Sequence, residues 1–184
     1  MENVRSTPAG PPNAGDVPAE KRRKKGANSM LEKGDKAPDF TAPLDDGSSV
    51  RLSRLKGAPV VLYFYPKDDT SGCTAEAMDF TALAARFEQA GARVIGVSPD
   101  TLAAHVKFKT KHGLSVALAA DTEKTIAEAY GVWVEKSMYG RKYMGVERST
   151  FLIDAKGRLA AVWRKVKVPG HAAEVLAAVE AIGG

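Results

Sequence analysis

The six residues Val60–Tyr65, VVLYFY, constrain this chain more than any other stretch. Large apolar side chains occupy both alternating sets of positions, as in a central strand that is covered on both faces. The same run is the longest uninterrupted apolar stretch, well below the roughly 20 residues that a spanning helix needs, so the chain is expected to be soluble. With 184 residues and 44% hydrophobic content, one compact domain with a real core is expected.

The charge is unevenly placed. Of the formal net +5, residues 1–29 carry six Lys/Arg against three Asp/Glu, and the remainder carries 21 against 19. Residues 1–29 hold almost no large apolar side chain and are expected to form a disordered basic tail, leaving 30–184 as the folded domain. The KRRKK run at Lys21–Lys25 fits a solvated charge run, a nuclear-import signal or a nucleic-acid contact. No secretory signal pattern is present. Met30 offers an alternative start.

From Met30 onward strand and helix signals alternate. Phe40–Pro43 and Ser49–Leu55 flank DDGS as a hairpin, and Arg93–Ser98 reads as a second inner strand. Phe80, Leu83, Ala84 and Phe87 share one helical face, with Gly91 as the stop. Helices are expected over 101–112 and over 121–130, the latter capped by Asp121 and Thr122. Phe151–Ile153 and Leu159–Trp163 straddle the turn DAKG, and Val175, Leu176, Val179 and Ile182 line a terminal helix. This order implies an α/β fold with a central mixed sheet and helices on both faces, compatible with a thioredoxin-like architecture.

Cys73 is the chain's one cysteine, which excludes an intrachain disulfide or dithiol couple and points to a reducing, cytoplasmic setting. It stands where the loop PKDDTSG turns from strand into helix. First-turn amides lack intrahelical acceptors and carry partial positive charge, so a thiolate is favoured there. Thr70 and Ser71 are candidate caps. Gly72 and Thr74 speak against burial of the thiol in an apolar core. Asp68 and Asp69 would disfavour a thiolate unless they point outward or are neutralised by Lys67 or an arginine. A phosphatase loop would need arginine at position 79, which is Asp, and His105, His112 and His171 are expected at the surface. One cysteine and three scattered histidines make no zinc pattern, and no cofactor is expected.

Pro66, Thr70 and Cys73 follow the peroxiredoxin pattern Pro-x-x-x-Thr-x-x-Cys. More narrowly, YFYPKDDTSGCTAEAMDF together with YGVWVEKSMYGRKYMGVERSTFLIDAKG resembles the bacterioferritin-comigratory-protein, or peroxiredoxin Q, subfamily from about Lys33 to the C-terminus. The resemblance implies a thioredoxin-like fold and reduction of hydrogen peroxide and organic hydroperoxides. It implies that Cys73 is the peroxidatic cysteine, oxidised to sulfenic acid. Thr70 would hydrogen-bond peroxide and sulfur, Pro66 would shield the pocket, and Arg148 would stabilise thiolate and transition state.

Two positions depart from that pattern. Ser71 replaces a frequent proline, and Met78 stands where many members carry the resolving cysteine, expected here to pack on the core side of its helix. Recycling would therefore use an external thiol, from thioredoxin or from glutaredoxin with glutathione, and the subfamily's habit implies a monomer. A binding protein that uses the basic tail on nucleic acid, and a thiol-based peroxide sensor, are the competing functions.

Overall fold

A computed structural model of the chain describes residues 30–183. The expected disordered tail, its KRRKK run and the nuclear-import and nucleic-acid readings attached to it lie outside the described residues. In chain order the elements are β1 (Thr41–Pro43), β2 (Ser49–Arg51), β3 (Val60–Phe64), α1 (Ser71–Ala82), α2 (Ala84–Gln89), β4 (Arg93–Ser98), α3 (Leu102–His112) and β5 (Ala117–Ala120). There follow α4 (Thr125–Ala129), β6 (Trp133–Met138), β7 (Arg141–Val146), β8 (Ser149–Ile153), β9 (Leu159–Trp163) and α5 (His171–Gly183). Among the described residues no helix is long and apolar enough to cross a membrane.

The VVLYFY run forms the middle of a five-stranded sheet of order β5-β4-β3-β8-β9. All five residues of β3 are buried, and Tyr65 beyond it is 1% exposed. β3 runs parallel to β4 in the register Val60↔Arg93 and antiparallel to β8 in the register Val60↔Ile153. Because β3, β4 and β5 step across the sheet in one direction, right-handed crossovers place α1, α2 and α3 on one face. There Val61 and Tyr63 pack with Phe80, Phe87 and Phe108, and α5 adds Val175 and Val179. On the other face Val60, Leu62 and Phe64 meet the β1–β2 hairpin through Ala42 and Val50, and α4 through Ile126 and Ala127. The mixed sheet with helices on both faces is as expected, although a hairpin supplies much of the second layer.

That hairpin also covers one sheet edge. The Asp45 amide donates to the Leu118 carbonyl at 3.0 Å, the Leu118 amide donates to Asp45 Oδ1 at 2.8 Å, and Lys109 Nζ reaches Asp45 Oδ2 at 2.8 Å. Leu44 forms an antiparallel bridge with Ala119 beside them. The outer side of β5 therefore has its polar backbone occupied where this loop lies.

Several expectations change. The single helix carrying Phe80, Leu83, Ala84 and Phe87 is broken at Leu83, whose φ −99° and ψ 4° close α1 and open α2. Phe80 and Phe87 still share the buried face, 5.8 Å apart between ring centroids. The helix over 121–130 shrinks to Thr125–Ala129. Lys124 occupies its N-cap position at φ 59°, and Asp121 reaches forward to accept from the Ile126 and Ala127 amides at 3.1 and 2.9 Å. Ile182 is 42% exposed, because α5 leaves the core in its last turn. The β6–β7 hairpin was not foreseen. Its two-residue turn, Tyr139–Gly140, has φ of 50° and 77°, the left-handed pair that a tight hairpin requires.

Gly96 on β4 is fixed by close approach. A Cβ there would lie 2.7 Å from both Cζ and Oη of Tyr63, itself fully buried and stacked on Phe80 at 4.6 Å. Gly96→Ala should therefore lower unfolding stability by about 1–3 kcal/mol in urea melts. An unchanged midpoint would show that the ring yields freely.

Candidate active site

Cys73 is the third residue of α1, so its sulfur sits among the first-turn amides that have no intrahelical acceptor. It is 2% exposed and packs within the cluster of Tyr63, Ala77 and Phe80. The expectation that its flanks keep it out of the apolar core is therefore corrected: one side of the thiol is buried against aromatic rings. The other side is polar. Arg148, two residues beyond the end of β7, donates from Nη2 to Cys73 Sγ at 3.1 Å and from Nη1 to Glu76 Oε1 at 3.2 Å. Gly72 leaves room for this, since a Cβ there would lie 3.3 Å from Nη2.

Glu76 was not singled out from the sequence, although its spacing of three from Cys73 places both on one helical face. It is 1% exposed, and its Oε2 has no hydrogen-bond partner among the described residues. Burial pushes its carboxyl from 4.5 up to about 7, against the opposing pull of the Arg148 guanidinium. Burial also disfavours the charge on Arg148, but Glu76 and Cys73 outweigh it and the guanidinium is raised further. Lys136 on β6 belongs to the same electrostatic neighbourhood. Its ammonium is pushed down by burial and by Arg148, with Cys73 and Glu147 opposing.

The remaining expected site residues are placed as follows. Thr70 occupies the N-cap position of α1 with extended backbone, and its carbonyl accepts from the Thr74 amide at 2.8 Å. Its hydroxyl donates to the Lys67 carbonyl at 3.0 Å and makes no cap bond. Ser71 is the first helical residue, and Pro66, half-buried, lies two residues beyond the end of β3 at Phe64. Met78 is 49% exposed, which corrects the expectation that it packs on the core side. Five residues from Cys73 is about 500° of helical rotation, and that carries Met78 off the buried face held by Cys73, Ala77 and Phe80.

Among the described residues, neither carboxylate ahead of the sulfur is neutralised by Lys67 or an arginine. Asp68 is buried and receives the Tyr65 hydroxyl at 2.6 Å and His105 Nδ1 at 2.7 Å, while Asp69 pairs with Lys111 at 2.7 Å and His112 at 2.8 Å. The histidines are correspondingly not the surface residues expected. His105 is fully buried, His112 is half-buried, and His171 is 4% exposed with Nε2 2.7 Å from Thr150 Oγ1.

The Glu76 carboxyl links the site to pH. Its folded value lies above the unfolded one, so the stabilisation is fully present below about 4.5 and is lost as pH rises through about 7. The interval corresponds to on the order of 3 kcal/mol. Between pH 5 and pH 8 the wild type should thus lose more unfolding stability than Glu76→Gln, by up to that amount in parallel denaturant titrations. Equal losses would show that Glu76 stays ionised throughout.

Comparison with known proteins adds to this geometry. Residues 33–162 match the model of the AhpC/TSA family. Peroxiredoxin Bcp of Bacillus subtilis is 53% identical over 146 residues, covering 79% of this chain and 93% of the relative. Peroxiredoxin Bcp of Escherichia coli is 38% identical over 141 residues, covering 77% and 90%. Among solved structures, the bacterioferritin comigratory protein of Xanthomonas campestris, described with alkyl peroxide reduction activity, superposes with a TM-score of 0.77 at 42% identity, covering 84% of this chain and 98% of that one. Xylella fastidiosa PrxQ superposes with a TM-score of 0.79 at 39% identity, covering 83% and 98%. The sheet described above is thus the thioredoxin-like one of these proteins, and the chain belongs to the AhpC/TSA family, in its Bcp and peroxiredoxin Q branch.

Proposed function

We propose that this chain is a one-cysteine thiol peroxidase, in which Cys73 reduces hydrogen peroxide and organic hydroperoxides. The observation that carries the reading is the guanidinium of Arg148 held 3.1 Å from a sulfur at the first turn of a helix. Positive charge and oriented amides together favour a thiolate and whatever anion develops beside it. Membership of a peroxiredoxin branch supports the same chemistry.

The Cys73 thiolate attacks the terminal oxygen of the hydroperoxide. A sulfur–oxygen bond forms, the oxygen–oxygen bond breaks, and the departing oxygen takes the electron pair and a proton to leave as water or an alcohol. Arg148 has five donors in a rigid fork, so it can hold Glu76 with one arm and offer the other to sulfur and leaving oxygen. By the family resemblance, Thr70, at the N-cap of the same helix with its hydroxyl hydrogen given to Lys67, offers its hydroxyl oxygen to the bound peroxide, and Pro66, half-buried just ahead of the loop, limits water. Neither role requires a metal or an organic cofactor.

The product is Cys73 sulfenic acid. With one cysteine in the sequence and Met78 at the helix surface, no disulfide forms within the chain. An external thiol condenses with the sulfenic acid to a mixed disulfide with loss of water, and a second thiol releases the Cys73 thiol. Thioredoxin, or glutaredoxin with glutathione, supplies these thiols, and the protein works as a monomer in a reducing cytoplasm.

Cys73→Ser should abolish peroxide consumption measured by stopped flow with each thiol donor supplied in turn, and a variant that retains it would end this reading. Arg148→Lys keeps the charge but loses the fork, and its second-order rate constant with peroxide should fall by about 10²-fold. A fall below threefold would show that charge alone suffices.

A further inference from the structure

Residues 66–70 contain Pro66 and Thr70 and lead directly into the turn that carries Cys73. Within this loop the described side-chain bond is the one from Thr70 to the Lys67 carbonyl. Apart from Tyr65, just beyond β3, and the Thr70 carbonyl, which accepts from Thr74 of α1, the loop is tied to one neighbouring unit, β4 with the residues after it and α3. The Asp68 amide donates to Asp100 Oδ2 at 2.8 Å, and that oxygen also accepts the Ser98 hydroxyl at 2.6 Å. Asp68 Oδ2 lies 2.7 Å from His105 Nδ1, and the other ring nitrogen lies 3.1 Å from the Ala119 carbonyl on β5. Both ring nitrogens thus face acceptors, and the imidazole spans from sheet to loop. Asp69 accepts from Lys111 and His112 in the last turn of α3, which hold its carboxyl below the usual range.

This is a demanding way to build a surface turn. Asp68 is 7% exposed, and a buried carboxylate is tolerated only when its partners are in place. Asp69 has φ 60°, a left-handed conformation that glycine or asparagine would adopt at less cost. Neither group enters the proposed chemistry. Arg148, by contrast, reaches the sulfur from the opposite side of β3, next to β8 and beside the Glu147–Arg164 pair. The 3.1 Å between sulfur and guanidinium is therefore set jointly by the loop held to α3 and by Arg148, which is itself held to α1 through Glu76.

We propose that Asp68 and Asp69 are positioning residues through which α3 sets the placement of Cys73 against Arg148, Asp68 by way of His105 and Asp100, and Asp69 by way of Lys111 and His112. The proposal rests on Cys73 being the reacting thiol. Its failure is distinguishable from failure of that reading, because alkylation of the thiol reports its placement without any peroxide.

The test uses the full chain with Asp69→Gly and Asp69→Asn. Glycine adopts φ 60° freely, so the first variant removes the tether while relieving the backbone, and asparagine keeps one acceptor oxygen, which can hold Lys111 or His112 but not both as the carboxylate does. The side chain of Asp69 is 45% exposed, so neither change opens the core. Two readouts are followed, the pH profile of Cys73 alkylation by iodoacetamide and the stopped-flow rate constant with hydrogen peroxide. Asp69→Gly should lower both at pH 7 by about fivefold to tenfold, with a melting temperature near that of the wild type. Asp69→Asn, which retains one of the two links, should restore part of the loss. Values for Asp69→Gly within twofold of wild type, or a loss that Asp69→Asn shares in full, would overturn the assignment.

Discussion

The guanidinium of Arg148 reconciles two groups that the interior would otherwise reject. A carboxyl at 1% exposure and a sulfur at 2% exposure lie on the same side of α1, three residues apart, and each is a potential anion with almost no access to water. Two anions there would repel each other and lose their hydration; one planar cation reaches the sulfur at 3.1 Å and one carboxyl oxygen, Glu76 Oε1, at 3.2 Å. Removing Arg148 would leave Glu76 uncompensated, and removing Glu76 would leave the cation to the sulfur alone. The burial that makes the pocket dry is thus also what ties the two roles together.

The sheet decides from which directions these groups arrive. β3 lies between a parallel neighbour and an antiparallel one, so the loop at its C-terminal end is flanked by the end of β4 on one side and the start of β8 on the other. Cys73 follows β3 and Arg148 precedes β8, which makes them spatial neighbours across 75 residues of sequence. An antiparallel partner placed elsewhere in the order would separate them.

Much of this was legible in the residues. VVLYFY is apolar on both faces, and a strand buried on both faces is what it became. The seam at Cys73 was legible for the same kind of reason, since Thr70 and Ser71 mark a helix start. Arg148 was reached through resemblance alone, because nothing in ERSTF distinguishes a cation aimed inward from one in water. The histidines and Met78 were misplaced because burial depends on neighbours brought by the sheet: His105 has its carboxylate 37 residues away, and Met78 loses its core contact by where α1 rotates. The β6–β7 hairpin was missed although Tyr139–Gly140 between alternating residues could have disclosed it. Its strands are largely exposed, and the weaker apolar pattern hid them.

The loop that lies along β5 has a bearing on how copies of this molecule meet. A bare outer strand offers unpaired amides and carbonyls to any passing chain, and sheets that leave one open invite continuation from molecule to molecule. Asp45 closes that invitation locally with its backbone and one carboxylate oxygen, and Lys109 adds charge at the same margin. Strand addition is thereby blocked along the part of this border that the loop occupies.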